Sequence, residues 1–271
     1  MCRWLAYNGP PLYLEALILN PDNSLIDQSR SALESVSTTN GDGFGIGWYD
    51  SRPEPGQFRD ILPAWNDSNL RSMSAQIRSP LFFAHVRAST GTPTSRTNSH
   101  PFKHGRWMFM HNGKISAFGR IRRDLSLLIA PELFPFLQGT TDSETFFFLL
   151  LTNGLEDDVT GAFQASVAQV LAAMRSAGID EAFSMTAAVS DGQVIHALRY
   201  ASNDDAPSLY YGLGVDIRDS DGKALDTGGN SILILSEPLD KETEHWIAVP
   251  QSHLITAGDG AVDLRPFTLA A

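Results

Sequence analysis

Along some stretches of the chain large apolar residues alternate with small or polar ones. Along others they recur every three or four places, so strands and helices are both predicted. Residues 3–8 read as a strand closed by Gly9-Pro10-Pro11. In residues 41–49, Phe44, Ile46 and Trp48 alternate with Gly43, Gly45 and Gly47, which predicts a strand with one bare face and something packed close against it. Residues 81–87 and 107–111 give further strands, the second ending at the turn dipeptide Asn112-Gly113. Asn23 or Ser24 caps a weak helix over residues 25–34, and Asp67 precedes a helical pattern through Leu70, Met73 and Ile77. The run 146–151 reads as a buried helix opening at a capping group within residues 140–144. Val159, Phe163, Val167, Val170, Leu171 and Met174 form a helical stripe stopped by Gly178.

The style then changes. Residues 184–190 and 193–199 flank Asp191-Gly192, a hairpin signal. Short strands follow at 209–212, 232–236, 246–249 and 253–257, and the polar stretch 216–229 reads as an exposed loop. Hairpins and helical blocks without strict βαβ alternation predict a layered α+β fold. At about 150 residues per domain the length gives about 1.8 domains. No stretch has the composition of a linker, so one domain over residues 1–271 is expected.

With 42% hydrophobic and 19% charged residues the chain can bury a substantial core. The 20 Lys and Arg against 31 Asp and Glu leave a net charge of −11, which repels phosphate backbones, and no basic run offsets it. Nucleic acid is therefore excluded as the expected partner. The longest apolar run, 146–151, is far short of the roughly 18 residues that span a bilayer. The first residues lack a basic region followed by an apolar one, so no membrane association and a cytoplasmic location are expected. The one cysteine, Cys2, excludes an internal disulfide framework and a multi-thiolate zinc site.

Position 2 is where that cysteine becomes informative. Removal of Met1 places a thiol and a free α-amine on one residue, and an amine with a pKa near 8 can serve as the base for its own nucleophile. Taken alone, Cys2 is equally a small early hydrophobe. Arg87, ending a buried-looking strand, offers the forked geometry that grips a carboxylate, or a surface ion pair. The Asn112 amide and the N–H of Gly113 can converge on one oxygen, as an oxyanion requires, or serve only a turn. Asp142 can bind an ammonium group or cap a helix. His100-x-x-x-His104 has zinc-like spacing, but Pro101 disfavours one continuous helix face, and His100 is expected to brace the loop 98–102.

The order of these segments carries more than any one of them. Cys2, Gly-Asp-Gly-Phe-Gly-Ile-Gly-Trp at 41–48, Arg-x-x-Thr at 87–90, Asn-Ser-His-Pro-Phe at 98–102, His-Asn-Gly at 111–113 and Thr-Asp-Ser-Glu at 141–144 together resemble the class II glutamine amidotransferases. The motif-bearing part spans residues 2–144, and Ser236-Glu237-Pro238-Leu239 resembles a later family segment. The resemblance implies an N-terminal nucleophile hydrolase fold, a four-layer α-β-β-α sandwich of two mainly antiparallel sheets flanked by helices. It also implies a thiol hydrolase of the glutamine γ-carboxamide acting through a γ-glutamyl thioester. Cys2 would be the nucleophile, with Asn112 and Gly113 holding the oxyanion. Arg87, Thr90 and Asp142 would bind substrate. No metal or organic cofactor is implied.

Free glutamine as substrate would make the chain a glutaminase that passes ammonia to a separate synthase. A larger γ-glutamyl amide, as in ergothioneine biosynthesis, would make it a self-sufficient hydrolase, and a catalytically silent binding subunit is the alternative of another class. One position departs from the family: many members carry His directly after the threonine that Thr90 matches, and here it is Gly91.

Overall fold

In the computed structural model, which describes residues 2–34, 39–89 and 91–269, the chain begins with strand β1 (Arg3–Tyr13). Helices α1 (Glu15–Ile18) and α2 (Leu25–Arg30), strands β2 (Phe44–Tyr49) and β3 (Gly56–Asp60), helix α3 (Ser68–Ser74) and strand β4 (Arg78–Val86) follow. Next come β5 (Phe102–His104), β6 (Trp107–Ile115), α4 (Phe118–Ser126), α5 (Asp142–Thr152), α6 (Val159–Ser176), β7 (Phe183–Ser190) and β8 (Ile195–Ala201). The last part is all strand: β9 (Tyr210–Leu213), β10 (Asp216–Arg218), β11 (Ala224–Asp226), β12 (Ile232–Leu235), β13 (Ile247–Ala248), β14 (His253–Gly258) and β15 (Ala261–Pro266). Met1 and Thr90 lie outside the described residues.

Two large sheets result, both antiparallel. One has the order β13-β9-β12-β1-β4-β2-β3, and the other the order β15-β14-β8-β7-β6-β5. Period-two alternation sorts the side chains of each strand onto two faces. On β1, Trp4 and Ala6 join Phe83, Met108, Met110 and Ala188 in a cluster between the sheets. Leu5 and Tyr7 turn the other way, toward Leu17, Ile26 and Leu70 on or beside α1–α3. The outer face of the second sheet, with Phe109, Ala187 and Leu198, packs on Ile121, Phe147 and Phe163 of α4–α6. Helix, sheet, sheet and helix therefore stack as four layers around three apolar cores. Nearly every side chain of α5 is buried, which fits a helix that is apolar all round and lies between its sheet and α6. No helix among the described residues is long and apolar enough to cross a membrane.

The caps at Ser24 and Asp67 and the bare face of β2 come out as the sequence predicts, while α5 is capped by Thr141 and not by Asp142. Ser24 accepts from the backbone N–H of Asp27, Asp67 from that of Leu70 and Thr141 from that of Glu144. On β2, a Cβ at Gly45 would collide with the carbonyl oxygen of His100, and one at Gly47 with the Met108 sulfur.

Four expectations are corrected. β1 does not stop at Gly9-Pro10-Pro11 but runs to Tyr13. The register to β4 shifts between Asn8 and Leu12, so the prolines fall where no ladder bond to β4 needs their missing N–H. The helix expected over 25–34 ends at Arg30, because the buried carboxylate of Glu237 captures the backbone N–H groups of Leu33 and Glu34. Asn112-Gly113 is no turn, since β6 continues to Ile115 opposite β7, with Asn112 against Thr186 and Gly113 against Met185. The stretch 216–229 holds the ribbon of β10 and β11, whose Ile217 is fully buried.

Candidate active site

Sheet register brings the first residues of the chain to the end of β4. Arg3 pairs with Val86, so Cys2 falls beside Arg87. On β4, Leu81 and Phe83 face the other sheet, and the same alternation turns His85 and Arg87 that way. On β6, Asn112 follows Met108 and Met110 on the inward face. The N-terminus of α5 closes the group, because the Asp142 carboxylate accepts from the N–H of Ile115 at 2.8 Å, just beyond Asn112 and Gly113. Cys2, Arg87, His100, Asn112, Gly113 and Asp142 all line one cavity of about 220 Å³.

The Cys2 thiol lies 3.6 Å from the carbonyl oxygen of Ala88. Burial pushes that thiol up from its ordinary value, against a downward pull from the Arg87 charge. The Arg87 guanidinium is buried and, among the described residues, hydrogen-bonds only to neutral oxygens: Thr92 Oγ1 at 2.6 Å, the Asp42 carbonyl at 3.3 Å, Ser89 Oγ at 3.3 Å and the Pro93 carbonyl at 3.5 Å. No carboxylate among the described residues pairs with it. Asp142 accepts only from the backbone N–H groups of Ile115 and Ser143 and from the Ser143 hydroxyl, and likewise has no cation at ion-pair distance among the described residues. Both polar atoms of the buried Asn112 amide are without a hydrogen-bond partner among the described residues. A buried amide left unpaired costs about 1–3 kcal/mol, so a group aimed into a cavity in this state is suited to a ligand.

Three buried histidines back the cavity. The His85 and His100 rings stack with centroids 4.1 Å apart. His85 Nε2 lies 3.2 Å from the His111 carbonyl oxygen, and His111 Nδ1 lies 2.8 Å from Ser143 Oγ. Burial pushes His85 down to about 3 and His100 well below its usual range. Burial also lowers His111, with Asp142 pulling the other way. All three are neutral near pH 7, which excludes them as fixed positive charges.

The expected residues thus converge, apart from Thr90, which lies outside the described residues. His100 lies in the bracing loop with its ring against His85 and Phe102, whereas His104 packs on Phe136 and Phe148. The two therefore share no ligand position. Asp42 was missed: its carboxylate accepts from Ser89 N–H at 2.7 Å while its carbonyl accepts from Arg87, so it orders the end of β4. An aspartate between two glycines was the available signal. Arg3 was not anticipated either: it is fully buried and pairs with Glu237 at 3.0 Å, and a charge set against the apolar run 4–7 was the clue.

Residues 27–268 match the family described as Glutamine amidotransferases class-II, a span that holds Arg87, Asn112, Gly113 and Asp142 and begins after Cys2. The chain is 36% identical over 300 residues to a probable glutamine amidotransferase of Saccharomyces cerevisiae, covering 98% of this chain and 84% of that protein. It is 28% identical over 268 residues to a gamma-glutamyl-hercynylcysteine sulfoxide hydrolase of Mycolicibacterium smegmatis, covering 98% and 100%. A solved glutamine aminotransferase class-II domain protein from Silicibacter pomeroyi superposes with a TM-score of 0.75 at 34% identity, covering 98% of this chain and all of that one. The glutamine phosphoribosylpyrophosphate amidotransferase of B. subtilis gives 0.67 at 12% identity over 99% of this chain and 50% of that one, a likeness of fold alone.

Proposed function

The chain belongs to the class II glutamine amidotransferases, and from that premise we propose that it hydrolyses the γ-carboxamide of glutamine with Cys2 as nucleophile. The observation that carries this reading is one small cavity in which the thiol, a buried guanidinium, a carboxylate and a buried amide meet. Among the described residues the guanidinium has no carboxylate partner, the carboxylate no cation and the amide no hydrogen-bond partner. Its volume of about 220 Å³ suits a glutamyl group, with Arg87 on the α-carboxylate and Asp142 on the α-ammonium. Both ends of a zwitterion are then fixed, which holds the γ-carbon within reach of the thiol.

In the reaction, the α-amine freed by loss of Met1 takes the thiol proton as sulfur attacks the carboxamide carbon. Negative charge moves to the oxygen, held by the Asn112 amide and the Gly113 N–H. The amine returns the proton to the leaving nitrogen, the C–N bond breaks, and ammonia departs from a γ-glutamyl thioester. Water, deprotonated by the same amine, attacks the thioester and releases glutamate and the thiol. His100 and His111 line the wall as neutral groups, with His85 stacked on His100. Thr90, next to Ser89, contributes to substrate binding.

A larger γ-glutamyl amide is the second reading. The hydrolase relative of M. smegmatis aligns with 98% of the chain, and a second cavity of about 970 Å³ adjoins the first at Thr92, Lys114 and Asp142, leaving room for a longer molecule. With free glutamine, a separate ammonia-accepting synthase is the implied partner.

The test is to incubate the protein, with Met1 verified absent by intact mass, with L-glutamine and follow glutamate release. Turnover that Cys2→Ala abolishes supports the glutaminase. No turnover with glutamine but release of glutamate from a γ-glutamyl dipeptide supports the second reading. No reaction with either, in a folded protein, overturns both and leaves a binding subunit.

A further inference from the structure

Cys2 lies outside the β-ladder, which begins at the Arg3–Val86 pair, and after loss of Met1 it would be tethered on one side only. Its carbonyl oxygen is nonetheless held: Arg3 Nη1 donates to it at 2.9 Å. The same guanidinium donates from Nε to Glu237 Oε2 at 3.0 Å, and the two side chains are 0% and 2% exposed. Glu237 also accepts from the N–H groups of Leu33 and Glu34 at 3.0 Å and 3.1 Å and from the Asn23 amide at 3.2 Å. Next to it, Ser236 brackets Trp4, its N–H donating to the Trp4 carbonyl and its hydroxyl accepting from the Trp4 N–H.

A buried ion pair is an inefficient way to stabilise a fold, since well-packed apolar residues often serve as well or better. This one joins the residue after the cysteine to a carboxylate that grips a second chain segment. We propose that Arg3 and Glu237 are positioning residues for the nucleophile. Glu237 fixes the fork of Arg3, and Arg3 fixes the Cys2 carbonyl. The peptide plane between Cys2 and Arg3 is thereby set, and with it the position of the Cys2 Cα from which the thiol and the α-amine reach the cavity. The same carboxylate docks residues 33 and 34, so the nucleophile and that segment are held by one group. The inference rests on Cys2 being the nucleophile, as proposed above.

Cys2 is the only cysteine in the chain, so iodoacetamide alkylation followed by intact mass reads this residue alone. Arg3→Lys keeps the charge but cannot reach both partners in a fork, and Glu237→Gln keeps the shape but loses the charge. Both variants are expected to lower kcat by about tenfold or more with KM within about threefold, and to change the alkylation rate and its pH profile by a similar factor. Glu237→Asp, which restores the charge, is expected to recover part of the loss, and serves as the test if Glu237→Gln does not fold. Folded variants with wild-type kcat and an unchanged alkylation profile overturn the proposal. So does a loss that scales only with the folded fraction. Should the wild type prove inactive on every γ-glutamyl substrate, the proposed function fails, and the alkylation profile still decides the positioning role.

Discussion

His85 Nε2 stands 3.2 Å from the carbonyl oxygen of His111, so a side chain of one sheet bonds the backbone of the other immediately before Asn112. A carbonyl oxygen only accepts, which places the proton of the neutral His85 on Nε2. The bond steadies the peptide from which the proposed oxyanion donors extend. His85→Phe preserves a ring to stack on His100 and removes the donor. Loss of about 1 kcal/mol is expected, read as a fall in kcat of about fivefold with KM little changed. Steady-state kinetics on the folded variant checks it, and a change in KM alone would count against this role.

The oxyanion assignment itself predicts a larger effect. Asn112→Ala is expected to reduce kcat by about 10²–10³ and to leave KM within a fewfold, the pattern of a donor that acts in the transition state. Gly113 requires a different test, because its φ is +147° and a Cβ there would meet the Ser184 carbonyl oxygen and the His111 ring. Gly113→Ala is therefore expected to lower the melting temperature, as thermal unfolding would reveal.

Arg87 and Asp142 are predicted to act on binding. Arg87→Lys keeps a charge but not the fork, and an increase in KM for L-glutamine of about tenfold or more is expected. Asp142→Asn should raise KM similarly. Glutaramate, which lacks the α-amine, should lose little in the same variant. An equal loss on both substrates would show that Asp142 acts through the Ile115 backbone and not through an ammonium group.

Much of this arrangement was legible before folding, and the illegible part has a physical cause. Caps at Ser24 and Asp67 depend on local spacing, and so does the bare face of β2, so the sequence carries them directly. The convergence of Cys2, Arg87, Asn112 and Asp142 was suggested by a family resemblance in motif order, since no local rule brings residues 2 and 142 together. Asn112-Gly113 misled because its turn propensity is local, while pairing along β7 and a glycine at positive φ keep it in a strand. The end of α2 was unreadable for the same kind of reason, because the group that captures Leu33 and Glu34 lies about two hundred residues downstream, at Glu237.

Burial of the three histidines fixes the acid limb of stability. His85 is held at about 3 when folded and titrates near 6.5 when unfolded, and His100 and His111 are displaced in the same direction. Between those values the unfolded chain binds more protons, so stability is full above about pH 6.5 and falls as the pH drops toward 3. Each such histidine contributes a slope of up to about 1.4 kcal/mol per pH unit. Urea midpoints measured at pH 7.5 and at pH 5 should therefore differ markedly. Replacing His85 with Phe should reduce the difference.

Acid quench during turnover, followed by intact mass and peptide mapping, tests most directly whether Cys2 carries the substrate acyl group. A transient adduct of one γ-glutamyl group is expected on the N-terminal peptide of the processed wild type, absent with Cys2→Ala, which is also expected to release no glutamate. Glutamate release by Cys2→Ala at the wild-type rate, or an adduct on any other residue, would contradict that role of Cys2.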